Sequence, residues 1–223
     1  RLTDPAERAR MREEIEGVPR GVWQSMVRAA SYEGIVISSV ASSANRDLLG
    51  RSLAEIARIR KTEPSEVLFD LLLEEGMKAA MIVHSQSEQV VVAFMRLPFM
   101  TVGTDGVRGA KPHPRLYGTY PRILGRYVRE QGNLTWPEAI HRMTGAAARR
   151  LGVSDQGLLR AGMRGSITIF DPERVIDRAT YEEPARDPEG IRYVLVNGQI
   201  ALENGTETGV LAGRVCSKTW AKD

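Results

Sequence analysis

Cysteine, histidine and aromatic residues are scarce in this chain: among 223 residues there are one cysteine, three histidines and an aromatic content of 6%. The single thiol, Cys216, excludes an internal disulfide and points to a reducing compartment, so a cytoplasmic location is the expectation. His84, His113 and His141 lie far apart, and no CxxC or HExxH string occurs, so the chain has no metal-ligand spacing of its own. A strong charge of one sign is lacking too. With 31 basic and 28 acidic residues the net charge is +3, and that dispersed excess leaves no footprint for nucleic acid. No apolar run approaches the roughly 20 residues that span a bilayer, and no signal peptide is visible. Neither a nucleic acid nor a membrane is therefore an expected partner. The first residue is Arg1 rather than Met, and a preceding segment is expected.

What is present is ordinary globular material, 42% hydrophobic and 26% charged. Asp4 to Glu16 reads as a charged surface helix with Pro5 in its first turn. Ile35 to Val40 reads as a buried strand. Ser52 and Glu55 form a capping box for a helix that turns Leu53, Ile56 and Ala57 inward. A second helix is expected from Pro64 to Glu75, with Val67, Leu68, Leu71 and Leu72 inside and Gly76 as its stop. Lys78 to Val83 suggests another strand. Ser85 and Glu88 suggest a capping box before a helix burying Val90, Val91 and Phe94. Phe99 to Gly103 then reads as a strand delivering Thr104, Asp105 and Gly106. This alternation predicts parallel α/β units of about 30 residues each.

A basic, glycine- and proline-rich loop follows, then a helix over Tyr120 to Arg129. Another, capped by Thr135 and Glu138, runs to about Arg150 with a break at Gly145. From Leu158 onward the texture becomes antiparallel β. Ile167 and Ile169 alternate with polar neighbours, and Asn197-Gly198 between Tyr193–Val196 and Gln199–Leu202 is a type I′ hairpin signal. Two domains are expected, residues 1–157 and 158–223.

The stretch from Val102 to Arg122 carries the chemistry. An Asp at the exit of a buried strand stands where an α/β barrel builds its active site. A loop Asp that accepts backbone N–H groups beside Gly106 is the other reading. Arg115, ten residues on, could hold a carboxylate through two parallel hydrogen bonds, or could simply be a surface arginine.

The string GTDG (Gly103 to Gly106) followed by HPRLYGTYPRILG (His113 to Gly125) resembles the N-acyl-D-amino-acid deacylases, or D-aminoacylases, of the amidohydrolase superfamily. The similarity extends upstream through HSQSEQVVVAFMRLPFM. Downstream it continues through MTGAAARRLGVSDQGLLRAGMRGSITIFDP and GIRYVLVNGQIALENGTETGVLAGRV. It covers nearly the whole chain and is weakest over Arg1 to Ala30.

The resemblance implies the C-terminal part of a metal-dependent-hydrolase TIM barrel, followed by the C-terminal strands of a small β-sandwich domain. It also implies hydrolysis of N-acyl-D-amino acids by water activated on zinc, with Asp105 as the acid/base and Arg115 binding the substrate carboxylate. His113 and Tyr117 become substrate-site neighbours, and Ser38 or Ser39 could add a hydroxyl to the carboxylate site. The family's metal ligands, a His-x-His motif with a cysteine and later histidines, have no counterpart here. His84, His113, His141 and Cys216 do not stand in for them, and His141 reads as a solvated helix residue. Zinc is thus expected from a missing N-terminal half of the barrel, which becomes the expected partner alongside the small-molecule substrate. An eight-stranded barrel takes about 250 residues, so the chain alone is expected to be inactive. Gly165-Ser166 departs from the family's usual Ala-Asp, which touches packing rather than chemistry. Two alternatives stay open: a cyclic-amide hydrolase resembling dihydropyrimidinases and hydantoinases, and a non-catalytic interaction module derived from the fold.

Overall fold

Asp4 opens the first helix by accepting hydrogen bonds from the N–H groups of Ala6 and Glu7, and Pro5, which has no N–H to lose, takes the first helical position. The resulting α1 (Pro5–Glu16) buries none of its residues. Ion pairs hold it instead, from Arg8 to Glu66 at 2.5 Å and to Asp70 at 2.7 Å. The computed structural model describes residues 1–18 and 23–215; Cys216 lies outside the described residues.

After the short α2 (Met26–Ala30) comes β1 (Ile35–Ser39), the strand read from IVISSV. Both arms of the Ser52–Glu55 capping box are formed at the start of α3 (Leu53–Arg60). Next is α4 (Pro64–Glu74), in which Val67 and Leu71 are buried, Leu68 and Leu72 are half-buried, and Phe69 is also buried. The last strand of this part is β2 (Ala80–Val83), antiparallel to β1 with Ile35 opposite Val83. These elements, with residues 106–113 and 181–184, form one compact unit. Its core gathers Ile35, Ile37, Leu53, Ile56, Val67 and Leu71. Burying each such side chain is worth about 1.5–3 kcal/mol.

The second unit comprises residues 88–105, 114–180 and the chain from 185 onward. It starts with α5 (Glu88–Met95) and continues with α6 (Arg115–Arg122), which passes into a π-helical segment, Ile123–Glu130. Pro121 sits inside α6. Lacking an N–H, it cannot bond back to the preceding turn, and the helix widens just beyond it. α7 (Trp136–Met143) has the Thr135–Glu138 capping box, and α8 (Gly145–Leu151) follows a break at Thr144. β3 (Ile167–Phe170), β4 (Ile191–Val196), β5 (Gln199–Glu203) and β6 (Thr206–Glu207) make a four-stranded antiparallel sheet in chain order. Asn197 and Gly198 have φ of 50° and 81°, as a type I′ turn requires. The unit's core holds Met95, Ile123, Leu124, Tyr127, Val128, Leu134, Ala139 and Val175.

Several expectations are corrected. The strands of the described residues pair antiparallel throughout, as a two-stranded and a four-stranded sheet, not as parallel α/β units. Phe99 to Gly103 is not a strand. An apolar run becomes a strand only where an edge pairs with it, and here the N–H of Val102 donates to the carbonyl of Arg142 instead. The capping box at Ser85 does not form, because α5 begins at Glu88 itself, whose carboxylate lies 3.2 Å from Arg126. That helix is apolar on all sides, so periodicity could not choose its face. Val91 and Val92 pack inward around the buried Met95, while Val90 is 42% and Phe94 60% exposed. The helix expected over Tyr120–Arg129 starts five residues earlier, at Arg115. Ile169 is exposed, since a bulge between Ile169 and Phe170 shifts the register and leaves Phe170 half-buried against Trp136.

Candidate functional site

Two residues of the GTDG and HPR strings meet within the second unit. Asp105 lies within an irregular segment, at φ 45°, a left-handed conformation that Asp adopts more readily than most residues. Arg115 is the first residue of α6, and its guanidinium grips Asp105 twice. Nη2 donates to the carboxylate oxygen Oδ2 at 2.8 Å, and Nε donates to the main-chain carbonyl at 2.9 Å. The Asp105 side chain is 88% exposed and that of Arg115 40% exposed, so the pair faces water. Such a pair is worth at most about 1 kcal/mol. The loop-Asp reading had the side chain accepting backbone N–H groups beside Gly106; the hydrogen bond seen at its carboxylate comes from Arg115.

Arg142 supports the segment that carries Asp105. Its side chain is buried and donates to the carbonyl of Met95 and, at 2.9 Å, to that of Leu97, while its own carbonyl receives Val102. The sequence reading missed this residue, because a buried arginine on a helix has no periodic signature. It is recognisable only once the chain ends around it are seen.

The rest of the HPRLYGTYPRILG string is mostly architectural. Arg122 pairs at 2.7 Å with Asp177, whose side chain is 7% exposed, and Gly118 lies against the same residue, where an added Cβ would come within 3.0 Å of the Asp177 Cβ. A Cβ at Gly125 would meet the Val175 carbonyl at 2.5 Å. Spacing of four and three places Gly118, Arg122 and Gly125 along one side of the helix, against residues 175–177. Tyr117, in the first turn, is 40% exposed.

His113 belongs to the first unit, where it meets Tyr181: the Tyr181 hydroxyl and His113 Nε2 are hydrogen-bonded at 3.2 Å, and the rings meet edge-on. His84 packs on the same tyrosine with ring centroids 4.6 Å apart. Two histidines that look unrelated in sequence thus share one aromatic neighbour, and Tyr181 was not singled out from sequence. Ser38 is buried on β1, and its carbonyl accepts the N–H of Lys111; Ser39 is half-buried. His141 lies exposed on α7. A shallow hollow lined by Ala57, Arg58, Lys61 and Pro64 contains neither Asp105 nor Arg115.

A zinc site needs three or four His, Cys or carboxylate ligands in one place. Among the described residues no group of three or more His, Cys, Asp or Glu is positioned to hold a metal ion, so they do not fit one. No helix among them is long and apolar enough to cross a membrane.

Comparison with known proteins gives a consistent picture. Residues 50–202 match the profile of the amidohydrolase family. The D-aminoacylase of Alcaligenes xylosoxydans xylosoxydans is 36% identical over 176 residues, which is 78% of this chain and 35% of that protein. A D-aminoacylase structure studied for its binuclear metal centre matches with a TM-score of 0.75 and 34% identity, over 81% of this chain and 37% of the other. N-acyl-D-glutamate deacylase from Bordetella bronchiseptica, complexed with zinc and a phosphonate mimic of the tetrahedral intermediate, matches with a TM-score of 0.72 and 35% identity. That match covers 79% of this chain and 36% of the deacylase. The chain spans about a third of the length of the relatives it matches.

Proposed function

Since the chain belongs to the amidohydrolase family, we propose that it supplies the acid/base and the carboxylate-binding residue of a hydrolase that removes the acyl group from N-acyl-D-amino acids. The observation that carries this reading is the Asp105–Arg115 pair, a proton-accepting carboxylate and a carboxylate-binding cation held 2.8 Å apart. The names of the relatives, D-aminoacylase and N-acyl-D-glutamate deacylase, supply the substrate class.

On this reading Arg115 holds the α-carboxylate of the substrate, for which a guanidinium edge is the matching donor. Asp105 takes a proton from the water whose oxygen bonds to the acyl carbon. It returns that proton to the amide nitrogen as the C–N bond breaks, releasing a carboxylic acid and a free D-amino acid. His113 and Tyr117 lie near in sequence to Arg115, and the resemblance makes them its substrate-binding neighbours. The described residues do not fit a metal, so no step here passes through one. Zinc ligands belong to further polypeptide, the remainder of a TIM barrel, which is the partner this chain requires. Residues 1–157 are then the closing units of that barrel, and residues 158–223 the last strands of a small β domain. The enzyme works in the cytoplasm.

A fusion of this chain to the metal-binding portion of a D-aminoacylase tests the roles. Asp105→Asn is expected to lower kcat by about 10²–10⁴-fold. Arg115→Ala is expected to raise KM for N-acetyl-D-amino acids while sparing their uncharged amides. Equal losses on charged and uncharged substrates would sink the assignment of Arg115, and undiminished turnover in the Asp105 variant would sink that of Asp105.

A further inference from the structure

Arg115 spends the same donors on Asp105 that a bound substrate would need. A carboxylate approaching a guanidinium from the side takes Nε and one Nη together. Here Nε is bonded to the Asp105 carbonyl and Nη2 to the Asp105 carboxylate. We infer that Asp105 is an internal competitor for Arg115, so that binding a free carboxylate and releasing the acid/base are a single exchange. This rests on the roles proposed above for the two residues.

The geometry makes the exchange easy. The Asp105 side chain is 88% exposed, so water can solvate its carboxylate as it leaves. An exposed ion pair contributes little, so little is lost when it opens. An incoming carboxylate that takes Nε and Nη2 displaces the Asp105 carbonyl as well as its carboxylate. Two hydrogen bonds to Asp105 break and two to the incoming carboxylate form at the same nitrogens. Afterwards the oxygen that had been accepting from Arg115 has a lone pair available for a proton. The arrangement withholds the acid/base until a carboxylate-bearing molecule is in place, and a ligand without a carboxylate does not release it.

The test uses the 223-residue chain, with acetate as the carboxylate probe and acetamide as its uncharged counterpart. The Arg115 Nε–H resonance and the backbone amide resonances of Asp105 and residue 115 are followed by NMR during titration, the amides serving for Arg115→Gln. Asparagine is the right replacement at position 105, because it tolerates the φ of 45° and removes only the charge. Asp105→Asn is expected to tighten acetate binding by about two- to five-fold, the equivalent of losing a surface ion pair. Asp155→Asn, which removes an equal charge from a different ion pair of the same unit, is expected to leave it unchanged. Arg115→Gln is expected to weaken binding by about ten-fold or more, and acetamide to produce no shift in any variant. Equal acetate affinity in the native chain and Asp105→Asn overturns the competition while leaving Arg115 as a carboxylate site. The same holds for equal tightening in Asp155→Asn. No response of Arg115 to acetate in either protein overturns both the competition and the carboxylate-binding role. Amide spectra of each variant establish that it is folded.

Discussion

Arg142 illustrates how much one side chain can organise. Buried in α7, it binds the carbonyls of Met95 and Leu97 at the exit of α5, and its own carbonyl takes the N–H of Val102, three residues before Asp105. Its removal leaves two carbonyls without the charged donor that satisfies them, a loss of about 2–4 kcal/mol. Arg142→Met keeps most of the apolar bulk and discards the donors. Urea unfolding of this variant is expected to shift to a lower midpoint with an unchanged slope, and an unchanged midpoint would show that the two carbonyls find water instead. Asp105 and Arg115, by contrast, are exposed, and changing them is expected to leave stability nearly unaltered.

Glu75 sets the behaviour of an element, the turn that leaves β1. Its buried carboxylate accepts from the Ser42 hydroxyl, the Asn45 side-chain amide and the N–H groups of Ser42 and Ala41. These donors, the Ser42 hydroxyl foremost, hold its pKa down to about 2, against an ordinary 4.5. A carboxyl whose pKa is depressed on folding contributes its full stabilisation above the unfolded value. It loses that contribution as the pH falls through the folded one. Thermal unfolding of the native chain is therefore expected to weaken between pH 4.5 and about 2. Glu75→Gln is expected to melt several degrees lower at neutral pH and to show a flatter dependence in that window. An identical acid profile in both proteins would assign the sensitivity to other carboxylates, such as the capping-box residues Glu55 and Glu138, whose pKa values are also lowered by the backbone they cap. Capping boxes at Ser52 and Thr135 and the turn at Asn197-Gly198 were readable beforehand because their chemistry is local. A second Asn-Gly turn, Asn204-Gly205 between β5 and β6, has closely similar positive φ values.

At the scale of the whole chain, the proposed deacylase chemistry requires more than these residues provide. With zinc and an N-acetyl-D-amino acid, the 223 residues alone are expected to show no turnover, whereas the fusion to a metal-binding portion turns over. Robust hydrolysis by the isolated chain would overturn the division of labour between the two. What the sequence determined by itself is whatever depends on neighbours a few residues apart: the caps, the Asn-Gly hairpin, the inward faces of α3 and α4, and the family written in GTDG and HPRLYGTYPRILG. Tertiary structure alone decided the rest. It chose the antiparallel pairing of β1 with β2, left Phe99–Gly103 unpaired, selected the face of α5, buried Arg142, and set Tyr181 between His84 and His113. Those outcomes depend on which distant segment arrives to satisfy a hydrogen bond or cover an apolar side chain, and no local pattern encodes that arrival.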